Sequence, residues 1–290
     1  MTRAYIIIIL IGTLSLLFSC SKEEPTNQGR TSACWVYAMC ACIEHEAHRV
    51  GDSVVLSRQW LLARELEEQA LADGDIAIRN VGPEVLRLIG KYGLVPYYFE
   101  RSHINNGSVL EKKIRLLREQ CKKKEELYSR MNELLPRFTV VNYDPFVKGA
   151  TGSFYYFSMR YTPQQFAESV MYRIHYDWYA HSDDVKKGEK FVLDDPDNRR
   201  EHEYINASYK EMYDKVILSV RTGHAVYWEY GKDHASGHAM AIVGLRKSKT
   251  GVGEDLVCQN SYGKEWGNNG RCVVTPQFFL AHTSNIGVCR

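Results

Sequence analysis

Apolar residues in the first third of the chain recur at helical spacing. Trp35, Ala38, Met39, Cys42 and Ile43 fall at i, i+3, i+4, i+7 and i+8, which predicts a helix over 34–48. Ser57 is placed to cap a second helix with Trp60, Leu61 and Leu66 on its inner side. Pro83 opens a third, with Val85, Leu88, Ile89 and Tyr92 inward and Gly93 as its stop. The clearest pattern spans 108–135, where Ser108 and Glu111 form a capping box ahead of the stripe Leu110, Ile114, Leu117 and Cys121. Lys122, Lys123 and Lys124 read as a solvated face. The Tyr-rich stretch 136–207 is expected to be mostly irregular, with one short helix after Pro163. Ser208 and Glu211 form a second capping box, on a helix that Gly223 ends.

After Gly223 the period changes to two. His224–Tyr230, His238–Leu245, Asp255–Asn260 and Arg271–Thr275 read as antiparallel strands joined by Gly-rich turns. Helices first and strands last give an α+β fold.

The N-terminus reads as a targeting segment. Arg3 supplies a positive charge, and an apolar run from Ile6 to Phe18 is too short for a comfortable membrane span. It ends in Leu17-Phe18-Ser19-Cys20, which resembles a bacterial lipobox despite the bulk of Phe18. Residues 1–20 are accordingly expected to be a lipoprotein signal, with Cys20 lipidated and the chain tethered to the membrane by that lipid. Ser21-Lys22-Glu23-Glu24 resembles a surface-export tag of Bacteroidetes lipoproteins, and serves equally as a solvated linker. The expected location is the bacterial cell envelope, at the outer membrane. The tether, 21–27, is too short for an inhibitory prodomain, so no propeptide removal is expected.

Composition changes this picture little. The chain has 290 residues, enough for one large domain or two lobes, and a net charge of +2 gives no reason to expect a nucleic-acid partner. No Cys/His cluster has zinc-site spacing, and no metal or cofactor is expected.

Three segments carry chemistry. Gln28-Gly29-Arg30-Thr31-Ser32-Ala33-Cys34-Trp35 puts a cysteine where a helix begins. Unpaired N–H groups and the positive dipole end there are expected to lower the thiol pKa. Gln28 is placed to return its amide to the sulfur, so that it and the Cys34 N–H would form an oxyanion hole. Gly237-His238-Ala239-Met240-Ala241-Ile242-Val243 sets a histidine at the mouth of a buried strand, where it would act as acid and base; His234 is its near competitor. In Cys258-Gln259-Asn260-Ser261-Tyr262-Gly263-Lys264-Glu265-Trp266-Gly267, Asn260 would accept the other imidazole N–H, with Trp266 and Tyr262 shielding that bond from water.

At these residues the chain resembles the papain-like cysteine peptidases. The match rests on Gln28…Cys34-Trp35, His238-Ala239 with its apolar strand, and Asn260-Ser261-Tyr262-Gly263…Trp266-Gly267. The resemblance implies a two-lobed fold with the substrate cleft between the lobes. It implies Gln28 in the oxyanion hole, Cys34 as nucleophile, His238 as general base and acid, and Asn260 as orienter. A peptide or protein would be the substrate.

The blocks Asn27-Gln28-Gly29-Arg30-Thr31, Lys91-Tyr92-Gly93-Leu94-Val95-Pro96, Tyr161-Thr162-Pro163 and Pro196-Asp197-Asn198 look like the bleomycin hydrolase and aminopeptidase C branch. His238 follows Cys34 by 204 residues (238 − 34), beyond the usual ~130–150 of papain-like enzymes, so an insertion is expected. The expected parts are a helical lobe over about 28–105, the insertion over about 106–215 and a β lobe over about 216–290. In that branch the C-terminus reaches into the cleft and enforces aminopeptidase action.

The sequence departs from the family at several places. Thr31 replaces a cysteine that many secreted relatives pair in a disulfide. Tyr262 stands where tryptophan follows Asn-Ser, and Asn80-Val81-Gly82 lies where a Gly-Gly pair often binds substrate backbone. Cys258 and Cys272 fall on neighbouring predicted strands, without fixing a pairing. Two other readings remain: a catalytically inactive papain-like surface binding lipoprotein, and a different Cys–His acyl-transfer fold with Asp255 as the orienting acid.

Overall fold

The computed structural model describes residues 26–290 apart from 73, 139–143, 147–151, 195–199, 232–236, 249–250 and 252. The signal segment, Cys20, His234 and Pro196-Asp197-Asn198 therefore lie outside the described residues.

Helix α1 (Cys34–Arg49) is buried along most of its length, with Trp35, Val36, Met39, Cys40, Cys42 and Ile43 almost wholly shielded from water. Its Trp35 indole N–H reaches Ile78 O at 2.8 Å, so the one polar atom of that ring is satisfied inside the core. Helix α2 (Arg58–Leu71) starts as its sequence dictates, with Ser57 Oγ accepting from Trp60 N–H at 3.1 Å. Helix α3 (Gly82–Tyr92) carries Pro83 in its first turn and stops at Gly93. Gly93 has φ +72°, and a Cβ there would sit 2.1 Å from the Pro163 carbonyl carbon, so both backbone and space require glycine.

The long helix expected over 108–135 is two helices, α4 (Gly107–Gln120) and α5 (Lys124–Met131). The cap is also different. Asn106 Oδ1 accepts from Val109 N–H at 3.2 Å, while Glu111 turns away to accept the Ile78 N–H at 2.7 Å. A tertiary donor thus takes the carboxylate that a local capping box would have used.

The stretch expected to be mostly irregular supplies five strands. β1 (Phe154–Tyr156) and β2 (Met159–Tyr161) form a hairpin, followed by α6 (Pro163–Met171). β3 (Tyr176–Ala180), β4 (Lys190–Asp194) and β5 (Glu201–Asn206) then join the main sheet. Arg200, just before β5, forms ion pairs with Glu65 at 2.9 Å, Glu68 at 3.1 Å and Glu84, tying that sheet edge to α2 and α3.

Helix α7 (Tyr209–Arg221) begins with the expected capping box, Ser208 with Glu211. The remaining elements are β6 (Val226–Tyr230), β7 (His238–Lys247), β8 (Glu254–Gln259), β9 (Arg271–Val274), α8 (Pro276–His282) and β10 (Thr283–Cys289). The eight-stranded sheet has the order β4-β5-β3-β10-β6-β7-β8-β9, antiparallel except at β3–β5. β10, which the sequence patterning did not reveal, lies near its centre.

The sheet is covered on both faces. Tyr227, Ala239 and Ala241 face the α1 core, while Val226, Trp228, Met240 and Ile242 pack with Met212 and Val216 of α7 and Phe279 of α8. Alternate residues of one strand thus enter different cores, which is why β7 reads as a continuous apolar run. Among the described residues, no helix is long and apolar enough to cross a membrane.

Candidate active site

Cys34 is the first residue of α1, and His238 is the first of β7. Both line one cavity of about 190 Å³, together with Gln28, Thr31, Ser32, Arg79, Asn80, Glu229, Gly237, Ala239 and Tyr262. The packing of α1 across β6 and β7 brings these distant segments to one place.

Asn260 follows β8, and its Oδ1 lies 2.7 Å from His238 Nε2. The same oxygen accepts the Ser261 N–H at 2.7 Å, and a backbone N–H only donates, so this atom is the amide oxygen. The imidazole must then donate from Nε2, which leaves Nδ1 as its basic nitrogen. Tyr262 stacks on the imidazole with centroids 5.2 Å apart and planes at 22°. Trp266 meets the edge of Tyr262 at 5.7 Å, so it shields the pair only through that ring.

Gln28 is 5% exposed and fixed on three sides. Its N–H donates to Ser261 O at 2.8 Å, its Oε1 accepts from Ser261 Oγ at 2.5 Å, and its Nε2 donates to Thr31 O. One amide proton is thus committed to Thr31, and a carboxamide nitrogen carries a second.

The charge state of the thiol differs from expectation. Burial pushes Cys34 up to about 11, and the Glu229 charge adds to that. Hydrogen bonds from the Ala239 and Trp35 backbones, with the Arg79 charge, pull it down but do not win. The helix start does supply favourable dipoles, yet the cost of taking a thiolate out of water exceeds them. Burial also lowers the pKa of His238, against a smaller opposing effect of the Asn260 hydrogen bond. Both directions favour the uncharged forms, with Cys34 half-buried against the cavity it lines.

Asp255, the alternative orienting acid, lies elsewhere. It pairs with Arg246 at 3.1 Å across the β7–β8 register. Cys258 and Cys272 are direct partners across β8 and β9, both as free thiols. Arg290 donates its N–H to His175 O and is not among the residues lining the cavity. Glu46, His224 and Cys289 cluster tightly, as do Glu65, Glu68 and Glu84. Glu46 is bonded to His224 and the Ala225 N–H, and the second group is held by Arg87 and Arg200. Neither group touches the cavity.

Sequence reasoning missed Arg79 and Glu229 as cavity residues. Glu229 left a signal, since an acid interrupts the apolar run Ala225–Tyr230 on a strand buried on both faces.

No protein-family model and no curated protein sequence matches the chain. Solved structures do. PepW from Lactobacillus rhamnosis HN001 superposes with a TM-score of 0.63 at 14% identity, covering 91% of this chain and 79% of that one. Xylellain, a cysteine protease from Xylella fastidiosa, gives 0.46 at 12% identity over 91% of this chain and 81% of its own. A Carica candamarcensis cysteine protease solved with E-64 gives 0.42 at 14%, over 91% and 90%. With its helices packed on a mostly antiparallel sheet and its likeness to PepW, the chain has the α+β fold of papain-like cysteine proteases.

Proposed function

We propose that the chain is a cysteine peptidase in which Cys34 attacks peptide carbonyls, His238 moves the proton and Asn260 holds the imidazole. The observation that carries this reading is the His238 Nε2–Asn260 Oδ1 bond of 2.7 Å, on the rim of the cavity that Cys34 lines. It leaves Nδ1 free of that bond and basic, as proton abstraction from a thiol requires.

In the first half-reaction the Cys34 S–H proton passes to His238 Nδ1 as the sulfur bonds to the carbonyl carbon. The resulting oxyanion accepts hydrogen bonds from the second Gln28 amide proton and the Cys34 N–H. The C–N bond then breaks, His238 protonates the departing amine, and a thioester remains on Cys34. In the second half-reaction water gives a proton to His238, its oxygen displaces the sulfur, and the thiolate recovers the proton. A neutral resting pair is compatible with this sequence, because proton transfer accompanies attack.

The scattered blocks shared with the bleomycin hydrolase and aminopeptidase C branch favour a relative of that group, anchored at the bacterial envelope through Cys20. A second reading is an inactive papain-like binding lipoprotein, favoured by the raised pKa of Cys34. Peptide hydrolysis by the purified chain, against Cys34→Ala, separates the two. The peptidase reading expects turnover that Cys34→Ala lowers by at least about 10³-fold with an unchanged circular dichroism spectrum. Equal turnover in both proteins rejects it.

A further inference from the structure

We propose that Glu46, His224 and Cys289 bind one divalent zinc ion, at the end of α1 opposite to Cys34. Glu46 lies near the end of α1, His224 just before β6, and Cys289 at the end of β10. A carboxylate oxygen, a ring nitrogen and a sulfur from these residues all lie within 4.8 Å of one another. Ligands of a tetrahedral zinc ion stand roughly 3.3–3.8 Å apart, as bonds of about 2.0–2.3 Å require, so a small side-chain adjustment seats the ion. The donor types fit as well. Thiolate, imidazole and carboxylate together suit a borderline-soft ion of the zinc or cobalt kind, whereas magnesium and calcium take oxygen. The thiolate and carboxylate balance the charge of the ion, the imidazole binds neutral, and the Cys289 S–H proton leaves to solvent. No spacing motif reveals this set in the sequence, because its three ligands come from distant segments.

A neighbouring side chain points to a ligand independently. Tyr176 pairs directly with Cys289 across β3 and β10, so the two side chains stand on one face of the sheet. The residue is only 8% exposed, and its buried hydroxyl meets no hydrogen-bond partner among the described residues. It is near enough to Cys289 and Glu46 to feel the charge of each. A water completing the zinc coordination there would donate to this oxygen. Support behind the ligands is also in place. The Ala225 N–H donates to Glu46 Oε1 at 2.9 Å and fixes the carboxylate. Its Oε2 meets His224 Nδ1 at 2.9 Å and Arg49 Nε at 3.2 Å. The ion would replace the first of these contacts, and the Arg49 side chain, on the rim, is free to turn to water. The part-exposed His224 ring gives the ion its way in. Once bound, it would tie the end of α1 to β6 and β10.

Zinc and cobalt titrations of the chelator-treated chain test this, with Cys34→Ala as the background so that the cavity thiol takes no part. One equivalent of zinc is expected to bind with a Kd of about 1 μM or tighter and to raise the Tm. Cobalt is expected to add the near-ultraviolet absorption of a thiolate–cobalt bond. Cys289→Ala should abolish that absorption and weaken zinc binding by about 100-fold or more, and His224→Ala should weaken it to a similar degree. Should one variant fail to fold, the other carries the comparison, and the stoichiometry and cobalt spectrum of the parent chain need neither. Less than one equivalent bound at about 100 μM zinc overturns the proposal and leaves Glu46 and His224 as an ion pair beside a buried thiol. Binding and cobalt absorption unmoved by the substitutions overturn it too, by placing the ion on other thiols.

Discussion

Asn260 Oδ1 receives two protons at 2.7 Å, one from His238 Nε2 and one from the Ser261 N–H. The second bond fixes the amide, and the fixed amide fixes the imidazole tautomer. Asn260→Ala removes the acceptor for both. Peptide hydrolysis is expected to fall roughly 10²-fold in kcat, within the range that positioned acid–base groups contribute. Asn260→Asp, which keeps an oxygen at the same place, should retain more activity than Ala. Equal kcat for Asn260→Ala and the native chain would remove Asn260 from the mechanism.

The thiol of Cys34 should titrate late. Its pKa is raised by burial from the ordinary 9.0 to about 11, so the thiolate population keeps growing above pH 9. Iodoacetamide labelling of Cys34, followed by mass spectrometry, is expected to accelerate from pH 7 through pH 9 and still to be rising at pH 11, where half the thiol is ionised. A plateau already reached by pH 7 would indicate a thiolate–imidazolium pair at rest.

Arg200 lies among Glu65, Glu68 and Glu84, of which Glu65 and Glu84 are buried. Arg87 bonds the same three acids, and Lys91 also pairs with Glu68, so without Arg200 the two buried acids keep Arg87 as their shared arginine. Burial raises Glu84 to about 7, against the Arg87 and Arg200 charges, so this carboxylate already sits in an unfavourable place. Arg200→Ala is expected to cost about 3 kcal/mol of stability, the lower end of the loss when a buried ion pair is broken from one side. Urea unfolding checks this, and a change below about 0.5 kcal/mol, the scale of ordinary surface substitutions, would show the contact to be idle.

Cys258 and Cys272 face each other across β8 and β9, two residues before Asn260 on the first of those strands. Directly opposed residues have Cβ atoms about 4.5–5.5 Å apart, near the reach of a disulfide. Mild oxidation should join them, with loss of two alkylatable thiols in the unfolded chain. Cys272→Ser should prevent that loss. Oxidation that spares both thiols would place them out of bonding range.

The features legible in the sequence are those whose causes lie within a few residues. Ser57, Pro83 with Gly93, and Ser208 with Glu211 each mark a helix end through a local hydrogen bond or a backbone restriction. β6 and β7 are legible as apolar runs because their alternate residues enter different cores. Ser108 and Glu111 misled for the opposite reason, since the Ile78 N–H, distant in sequence, claimed the carboxylate. β3, β5 and β10 were illegible because a strand's partner is not written in its own residues. β10 is held between β3 and β6, and β3 is held by β5.

The sequence by itself determined the inventory: a cysteine opening a helix, a histidine opening a buried strand, and an asparagine before a turn. It also determined the order of helices and strands, through periodicity and caps that act over one or two turns. Only the tertiary structure decided that Gln28, Cys34 and His238 line one cavity with Glu229 in its wall. It also reversed the direction of the Cys34 shift. A helix dipole is a local property, but desolvation is imposed by every segment that closes over the sulfur, and here the sum of those distant contacts is the larger effect.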